Sequence, residues 1–527
     1  METLHERHLV WWKKFWSVSE ISLDDPVIEQ RYYLSKYMLA SVSRDPEYPP
    51  NILGISTFDR PAWNGNYKIN YNHQSPYLNL MVSGHFQQSD PHDAPYLKLM
   101  EISDEMCKRL LHHEGLYYPL GLGPHGLVSE ALLLHMKSPA IHGALNMIYR
   151  YGITEDETYA QKVYPYLRGV ADFWEKDLVC RDGVYHVVGD GMHERTDGNI
   201  RDNGVPEDPV NTLGYLKTFF TWMPRISEAL DLDEKKREKW LEIAENLAPY
   251  PKGTIREIQE NPTLWKEVDV KLEDLLPEEM LDKEIYYDEG IGGKWSFHFP
   301  GNVMQIYPGN AIGLGSEPEE LEVARNTVQI HALVENALGE LEYKKALEEA
   351  EGVKNPHFYK AGAFNASNLS CLFFTAAVRV GYDPEIIWKE MRDMILNRGI
   401  PNGFLKENPH GIEQLNTIPD AIQEMMLQSC EGVIRIFPVW PSAEHPNASF
   451  RNFRAWGGFE VSAVLKDGEV ERVTILSHKG HPCRVENPWP GKSVKVSYEY
   501  GRPDEVHFGE YLNIELYKEE HAELFRI

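Results

Sequence analysis

The spacing of hydrophobic residues changes once along this chain, near Cys430, and that change limits what the chain can fold into. Before it, apolar residues recur every three or four positions. They do so at Trp11, Trp12, Phe15 and Trp16, then over 27–43, 140–151, 158–178, 212–230, 236–247, 320–338, 368–380, 384–396 and 421–430. That spacing gives each segment one apolar face as a helix. Asp25-Pro26 and Asp383-Pro384 mark helix starts, with an acid at the cap and proline in the first turn. After Cys430 the pattern alternates, in 433–437, 459–464, 472–476 and 494–498, with Lys466-Asp467-Gly468-Glu469 as a hairpin turn.

The segments between helices are long and rich in Gly, Pro, Asn and aromatics, notably 44–79 and 294–316. Loops of that length in a compact domain tend to carry function. Paired helices with elaborate loops on one side describe an α/α toroid whose loops form a cleft. The expected architecture is therefore mainly α: a linker-like helix over 1–20, a toroid barrel over 21–430 and a small antiparallel β-sandwich over 431–527. The acid-rich insertion at 252–294 has no assigned role in this reading.

Composition excludes several functions. A formal charge of -28 argues against nucleic acid, which needs a surplus of Lys and Arg, and against anionic polymers. A neutral ligand fits best. The N-terminus lacks a basic start followed by an apolar core, and no apolar run approaches the roughly 20 residues that span a bilayer. Cys107, Cys180, Cys371, Cys430 and Cys483 are dispersed and form no CxxC, which reads as reduced thiols in a cytoplasmic protein. His112-His113-Glu114 are neighbours that cannot share a helix face, so no metal is expected, nor any cofactor. A homo-oligomer stays open.

The chemistry-bearing stretch is Lys68-Ile69-Asn70-Tyr71-Asn72-His73-Gln74-Ser75-Pro76-Tyr77, preceded by Asp59-Arg60-Pro61-Ala62-Trp63-Asn64-Gly65-Asn66-Tyr67. In an extended segment Asn70 and Asn72 would face the same way. A carboxamide both donates and accepts, so a pair of them can orient a water or a sugar hydroxyl. Read alone, the stretch is equally a polar loop whose asparagines satisfy their own backbone.

The Asn-x-Asn loop, the helical body, and Glu424-Met425-Met426-Leu427-Gln428-Ser429 leading into Val433-Ile434-Arg435-Ile436-Phe437-Pro438-Val439-Trp440-Pro441 together resemble glycoside hydrolase family 95. Phe453-Arg454-Ala455-Trp456-Gly457-Gly458-Phe459 fits the same pattern. That family holds inverting α-L-fucosidases and α-L-galactosidases on an (α/α)6 barrel. Its N-terminal β-domain has no counterpart here, and the chain opens at what looks like the linker. The resemblance implies Asn70 and Asn72 as the paired amides and Glu194 as general acid. It implies Glu413 as the carboxylate that polarises the asparagine-bound water, where the fucosidases carry Asp. That longer side chain, and the altered flanks of Asn72, leave the reaction standing and the sugar open between an α-L-fucoside and an α-L-galactoside kind.

Inverting hydrolysis needs an acid on the leaving oxygen and a second group activating water on the opposite sugar face, with carboxyls roughly 6.5–9.5 Å apart. An amide is no base, so the charge must come from Glu413. Glu194 has to stay protonated, which burial achieves and Arg195, if turned inward, opposes. Asp420 and Glu424 are rival acids that would lie on the following helix. Asp59, Arg60, Trp63, Asn64, His73, Gln74, His193, His298, Asn302 and His410 form the group of expected sugar contacts. The expected function is an inverting glycoside hydrolase acting on a terminal neutral sugar of an oligosaccharide or glycoconjugate, with no nucleic-acid or membrane partner. The alternatives are a non-catalytic carbohydrate-binding relative and a toroid polysaccharide lyase. A lyase would bind uronates through Arg, and the acidic charge weighs against it.

Overall fold

The helix starts foreseen from sequence are capped as expected. Asp25 accepts from the amides of Val27 (3.0 Å) and Ile28 (3.4 Å), and Asp383 from those of Glu385 (2.9 Å) and Ile386 (3.4 Å). Each opens a helix with proline in its first turn, Pro26–Val42 and Pro384–Asp393. The structure, a computed structural model, describes residues 3–54, 62–127, 132, 135–192, 205–260, 272–288, 300–349, 370–406 and 411–527.

Among the described residues the helices form an (α/α)6 toroid. Its inner members are Ser75–Val82, Pro139–Thr154, Val210–Ala229, the short turn Gly301–Val303, Ser370–Arg379 and Thr417–Met426. Each packs against an outer partner: Phe86–Lys98, Glu157–Asp177, Glu234–Glu245, Pro318–Glu349, Pro384–Asp393 and, for the last, Pro26–Val42. Thr417–Met426 also packs on Ser75–Val82, so the last inner helix meets the first. The sequence separates the two layers. Pro139–Thr154 buries every residue except Arg150 and Thr154, whereas Glu234–Glu245 buries only Trp240, Ile243 and Ala244. A helix that is apolar all round belongs inside, and one with a single stripe belongs outside.

The fourth inner member is only a turn, and Val210–Ala229 comes very close to it. A Cβ on Gly214 would lie 2.4 Å from Gln305 Cβ and 2.6 Å from its Cα. Because one of those atoms is backbone, no rotamer change relieves the clash.

The ring's interior is not purely apolar. Arg379 pairs with Glu424 through Nε–Oε2 (2.6 Å) and Nη2–Oε1 (2.9 Å). One turn earlier, Asp420 accepts from Thr375 Oγ1 (2.8 Å) and from the Tyr307 hydroxyl. Burial pushes the Asp420 carboxyl up to about 7, and the charge of Glu424 adds to the rise.

Beyond the toroid lies an antiparallel seven-stranded sheet. Its order is Glu20–Leu23, Ala448–Ala455, Phe459–Lys466, Glu469–Ser477, Glu520–Arg526, Val494–Tyr498 and Glu505–His507. Phe459–Lys466 alternates buried and half-buried residues along its length, and Asp467-Gly468, both at positive φ, makes the tight turn that follows. Two points differ from the sequence reading. The edge strand Glu20–Leu23 comes from the start of the chain, paired with Ala448–Ala455. The alternating 433–437 run supplies only Arg435–Ile436, which pairs with Leu427–Gln428 outside the large sheet. Cys483–Glu486 and Tyr511–Ile514 form a second two-stranded sheet. The Trp456-Gly457 turn joins sheet to toroid. Gly457 N donates to Gly152 O (2.8 Å), Trp456 N to Ser429 Oγ (3.1 Å), and the Trp456 ring lies so close to Gly152 that a Cβ there would be 2.3 Å from it.

Gly214→Ala is expected to destabilise the protein by about 1–3 kcal/mol, the usual cost of overpacking a filled interior. A shift in the denaturation midpoint measures it, and an unchanged midpoint would disprove the close approach. Asp420 generates a second prediction. A carboxyl raised on folding contributes stability that is complete below its unfolded value and lost as pH rises through about 7. Asp420→Asn removes that loss. Its melting temperature relative to wild type should therefore climb between about pH 4 and pH 7, and a flat difference refutes it.

Candidate active site

The segment after strand Tyr67–Lys68 winds instead of extending. His73 N donates to Lys68 O (2.7 Å) and Ser75 N to Tyr71 O (2.9 Å), so residues 69–74 form a succession of turns that runs into Ser75–Val82. The β-alternation expected to align Asn70 with Asn72 therefore does not operate. The cause is local. Gln74 already has helical angles, Pro76 suits the first helical turn, and the backbone begins to coil before the helix proper. The coil is fixed from within. Gln74 Nε2 donates to Ile69 O (2.5 Å), Ile69 N to Leu120 O (3.0 Å), and Asn146 Nδ2 to Gln74 O (2.9 Å). His142 Nδ1, in the first turn of the next inner helix, donates to Asn70 O (2.8 Å). Asn70 is 2 % exposed and Asn72 7 %. Asn72 lines a narrow crevice with Tyr67, Lys68, Ile52 and Ile412.

Ile412 opens the short turn Ile412–Leu415, which carries Glu413 at 1 % exposure. The turn is anchored by Ile412 N to Ile52 O (3.1 Å) and by Gln414 Oε1 accepting from Leu405 N (3.1 Å). Asn416 then accepts at Oδ1 from both Asn79 N (3.0 Å) and Asn79 Nδ2 (2.8 Å). Burial raises the Cys371 thiol, and the charges of Glu413 and Asp420 raise it further, which places both carboxylates within electrostatic reach of Ser370–Arg379.

The third loop carries Glu194 and His193, which lie outside the described residues. Its described start holds Asp190, fully buried, accepting from Lys137 N (2.5 Å) and Thr212 Oγ1 (2.6 Å). Burial pushes that carboxyl up to about 6. Asp190 thus ties the approach to Pro139–Thr154 to the first turn of Val210–Ala229. Together these bonds bring the beginnings of four inner helices to one end of the ring: Ser75–Val82, Pro139–Thr154, Val210–Ala229 and Thr417–Met426.

The expected sugar contacts divide. Asp59, Arg60, His193, His298 and His410 lie outside the described residues. Trp63, 58 % exposed, and Asn64, also exposed, sit in left-handed backbone at φ 49° and 56°. His73, Gln74 and Asn302 are buried and bonded to the chain. His73 bonds through Nε2 to His92 O (3.0 Å), and burial pushes its imidazole down to about 3, so it is neutral. Asn302 donates to Tyr286 O (2.8 Å) and its Oδ1 bonds His331. Nine of the ten, with Asn70, Asn72, Glu194 and Glu413, fall in segments leading from an outer helix to the next inner member, and Asn302 lies in the inner turn Gly301–Val303 itself.

The sequence reading missed Asp190, His142, Asn79 and Asn416. Only Asp190 left a signal, an acid between two glycines just before the Glu194 loop. His142 and Asn79 are single polar residues inside helices, and Asn416 is a single polar residue at the cap of one. Among the described residues, His186, Glu207 and Asp208 bring three ligand-type atoms within 4.8 Å, but Arg181 already pairs with both Glu207 oxygens (2.9 and 3.0 Å). No described helix is long and apolar enough to cross a membrane.

Among curated proteins none matches the sequence. Of solved structures, a protein assigned as a kojibiose phosphorylase from human microbiome aligns over 95 % of this chain and 68 % of its own, at 12 % identity and a TM-score of 0.49. The α-L-rhamnosidases of Dictyoglumus thermophilum and Streptomyces avermitilis align over 97 % and 96 % of this chain, and 50 % and 42 % of their own. Both do so at 11 % identity and a TM-score of 0.43. The chain spans half or less of those rhamnosidases. Residues 6–341 match the glycosyl hydrolase family 95 catalytic domain, a stretch that includes Asn70, Asn72 and Glu194 and ends before Glu413. That stretch is more than half of the sequence, and the chain belongs to glycosyl hydrolase family 95.

Proposed function

We propose that this protein is an inverting glycoside hydrolase that removes a terminal neutral sugar, of the α-L-fucoside or α-L-galactoside kind, from an oligosaccharide or glycoconjugate. One observation supports the reading most. Glu413, a buried carboxylate, sits on a turn fastened to the helix that follows Asn70 and Asn72, and Asn72 lines the crevice that reaches Ile412. A buried carboxylate beside two carboxamides is what water activation requires, because the amides orient the water and the carboxylate takes its proton.

In this mechanism Glu194 gives its proton to the glycosidic oxygen as the bond from that oxygen to C1 breaks. A water held by Asn72 and Asn70 attacks C1 from the opposite face and loses its proton to Glu413. The sugar leaves with inverted configuration, Glu413 gives its proton up to solvent and Glu194 takes one back, which restores both groups. Trp63, Asn64, Asp59, Arg60, His193, His298 and His410 are proposed to meet the sugar. His73, Gln74 and Asn302 are proposed to hold the backbone behind it. The same reading takes residues 21–430 as the catalytic body and 431–527 as an accessory sheet domain.

The test is hydrolysis of aryl glycosides, α-L-fucoside and α-L-galactoside first, with the product anomer followed by NMR. Wild type should release the inverted anomer, and Glu194→Gln and Glu413→Gln should each lower kcat by roughly 10²–10⁴-fold. A retained anomer, or a fully active Glu413→Gln, overturns the mechanism.

A further inference from the structure

Asn416 occupies the cap position of Thr417–Met426, yet its side chain makes no capping bond. Asparagine at that position ordinarily accepts from its own helix. Here its carbonyl oxygen turns to Asn79 instead, and the direction of every bond in the chain that follows is fixed. Asn79 N is a backbone donor, so the Asn416 atom facing it must be oxygen. Asn79 Nδ2 faces the Pro76 carbonyl (3.0 Å) and Asn416 Oδ1 (2.8 Å), both acceptors, so its own Oδ1 must face the other way. There it receives Lys36 Nζ at 2.8 Å, from the outer helix Pro26–Val42. Lys36 also donates to Ser83 Oγ (2.7 Å), whose hydrogen is committed to Asn79 O (2.8 Å).

Two properties of this relay are unusual for a merely structural contact. Lys36 is 2 % exposed, and among the described residues it has no carboxylate within ion-pair distance. An apolar residue would fill that place without desolvating an ammonium. At the other end, Asn416 Nδ2 is buried and has no hydrogen-bond partner among the described residues. It is a donor held in a set orientation, three residues from Glu413.

We propose that Lys36, Asn79 and Asn416 are positioning residues for the water-activating half of the reaction: Lys36 fixes the Asn79 amide, which orients Asn416 so that its Nδ2–H is presented beside the Glu413 turn. This rests on the functional reading above. The relay holds the Glu413 turn in register with the helix behind Asn70 and Asn72, and it supplies one donor that the attacking water or the Glu413 carboxylate can use. Its contribution falls on the chemical step, because the donor it presents lies beside the turn that carries Glu413.

The experiment compares Asn416→Asp, Lys36→Met and their double variant with wild type and Glu413→Gln on the aryl glycoside that wild type hydrolyses. Asn416→Asp keeps both acceptor bonds to Asn79 and replaces the donor with an oxygen that can ionise, so kcat is compared with wild type across pH. Each single variant should lower kcat at least tenfold, with KM within about twofold and a near-native melting temperature. The double variant should be no worse than Asn416→Asp by more than about twofold, because the two changes cut one chain. If Lys36→Met does not fold, Asn79→Asp, which keeps the Lys36 contact but cannot donate to Asn416, should give the same loss. Wild-type kcat in the single variants beside an inactive Glu413→Gln overturns the relay and leaves the hydrolase reading intact. Multiplicative losses in the double variant also overturn it. A wild type without hydrolytic activity, or a Glu413→Gln variant as active as wild type, removes the functional reading and the relay with it.

Discussion

The hydrogen bonds from Asn79 to Asn416 join the first inner helix to the last across 337 residues of sequence, and the geometry of the site depends on that closure. A ring of helix pairs gains most of its stability from apolar burial, which is non-directional and tolerates small rotations between neighbours. Hydrogen bonds do not tolerate them. The bonds His142 to Asn70, Lys137 and Thr212 to Asp190, and Asn79 to Asn416 fix the angular relation among the beginnings of adjacent inner helices. The loops that carry the chemistry start from those same places. The proposed catalytic groups are thus approached by buried polar joints at one end of the ring.

The far ends of the inner helices are organised differently. There Arg379 neutralises Glu424, and the Trp456-Gly457 turn of the sheet closes against Gly152 and Ser429. Asp420 lies between the two regimes: burial raises its carboxyl to about 7, against the pull of its hydroxyl partners Tyr307 and Thr375 and of the Arg379 charge. A buried ionised carboxylate with only neutral partners would be far more costly than a buried pair.

Much of the architecture was legible in the sequence. The helical spacing, the acid-proline starts at Asp25 and Asp383, and the change to alternation after Cys430 depend on neighbours within one element. Such features record local preferences that tertiary packing kept. The edge strand Glu20–Leu23 was not legible, because a four-residue strand between helices acquires its partner only when Ala448–Ala455 arrives from the other end of the chain. The 433–437 run alternates as a strand of the sheet would, yet Arg435–Ile436 pairs with Leu427–Gln428 and Ile434 bridges to Val485, both outside the large sheet.

For the site, the sequence by itself determined which residue types stand in the loops ahead of the inner helices: Asn70 and Asn72, Glu194, Glu413. It also determined membership of the family, because loop motifs and helix order are properties of the string. Tertiary structure decided how those residues are presented. It coiled 69–74 where alternation predicted extension, turned His73, Gln74 and Asn302 into buried supports, and recruited Asp190, Asn79 and Asn416 as joints. The physical reason is the range of each effect. Helical spacing and turn chemistry act over a few residues, whereas a buried polar side chain takes its role from partners that only the closed ring brings within 3 Å.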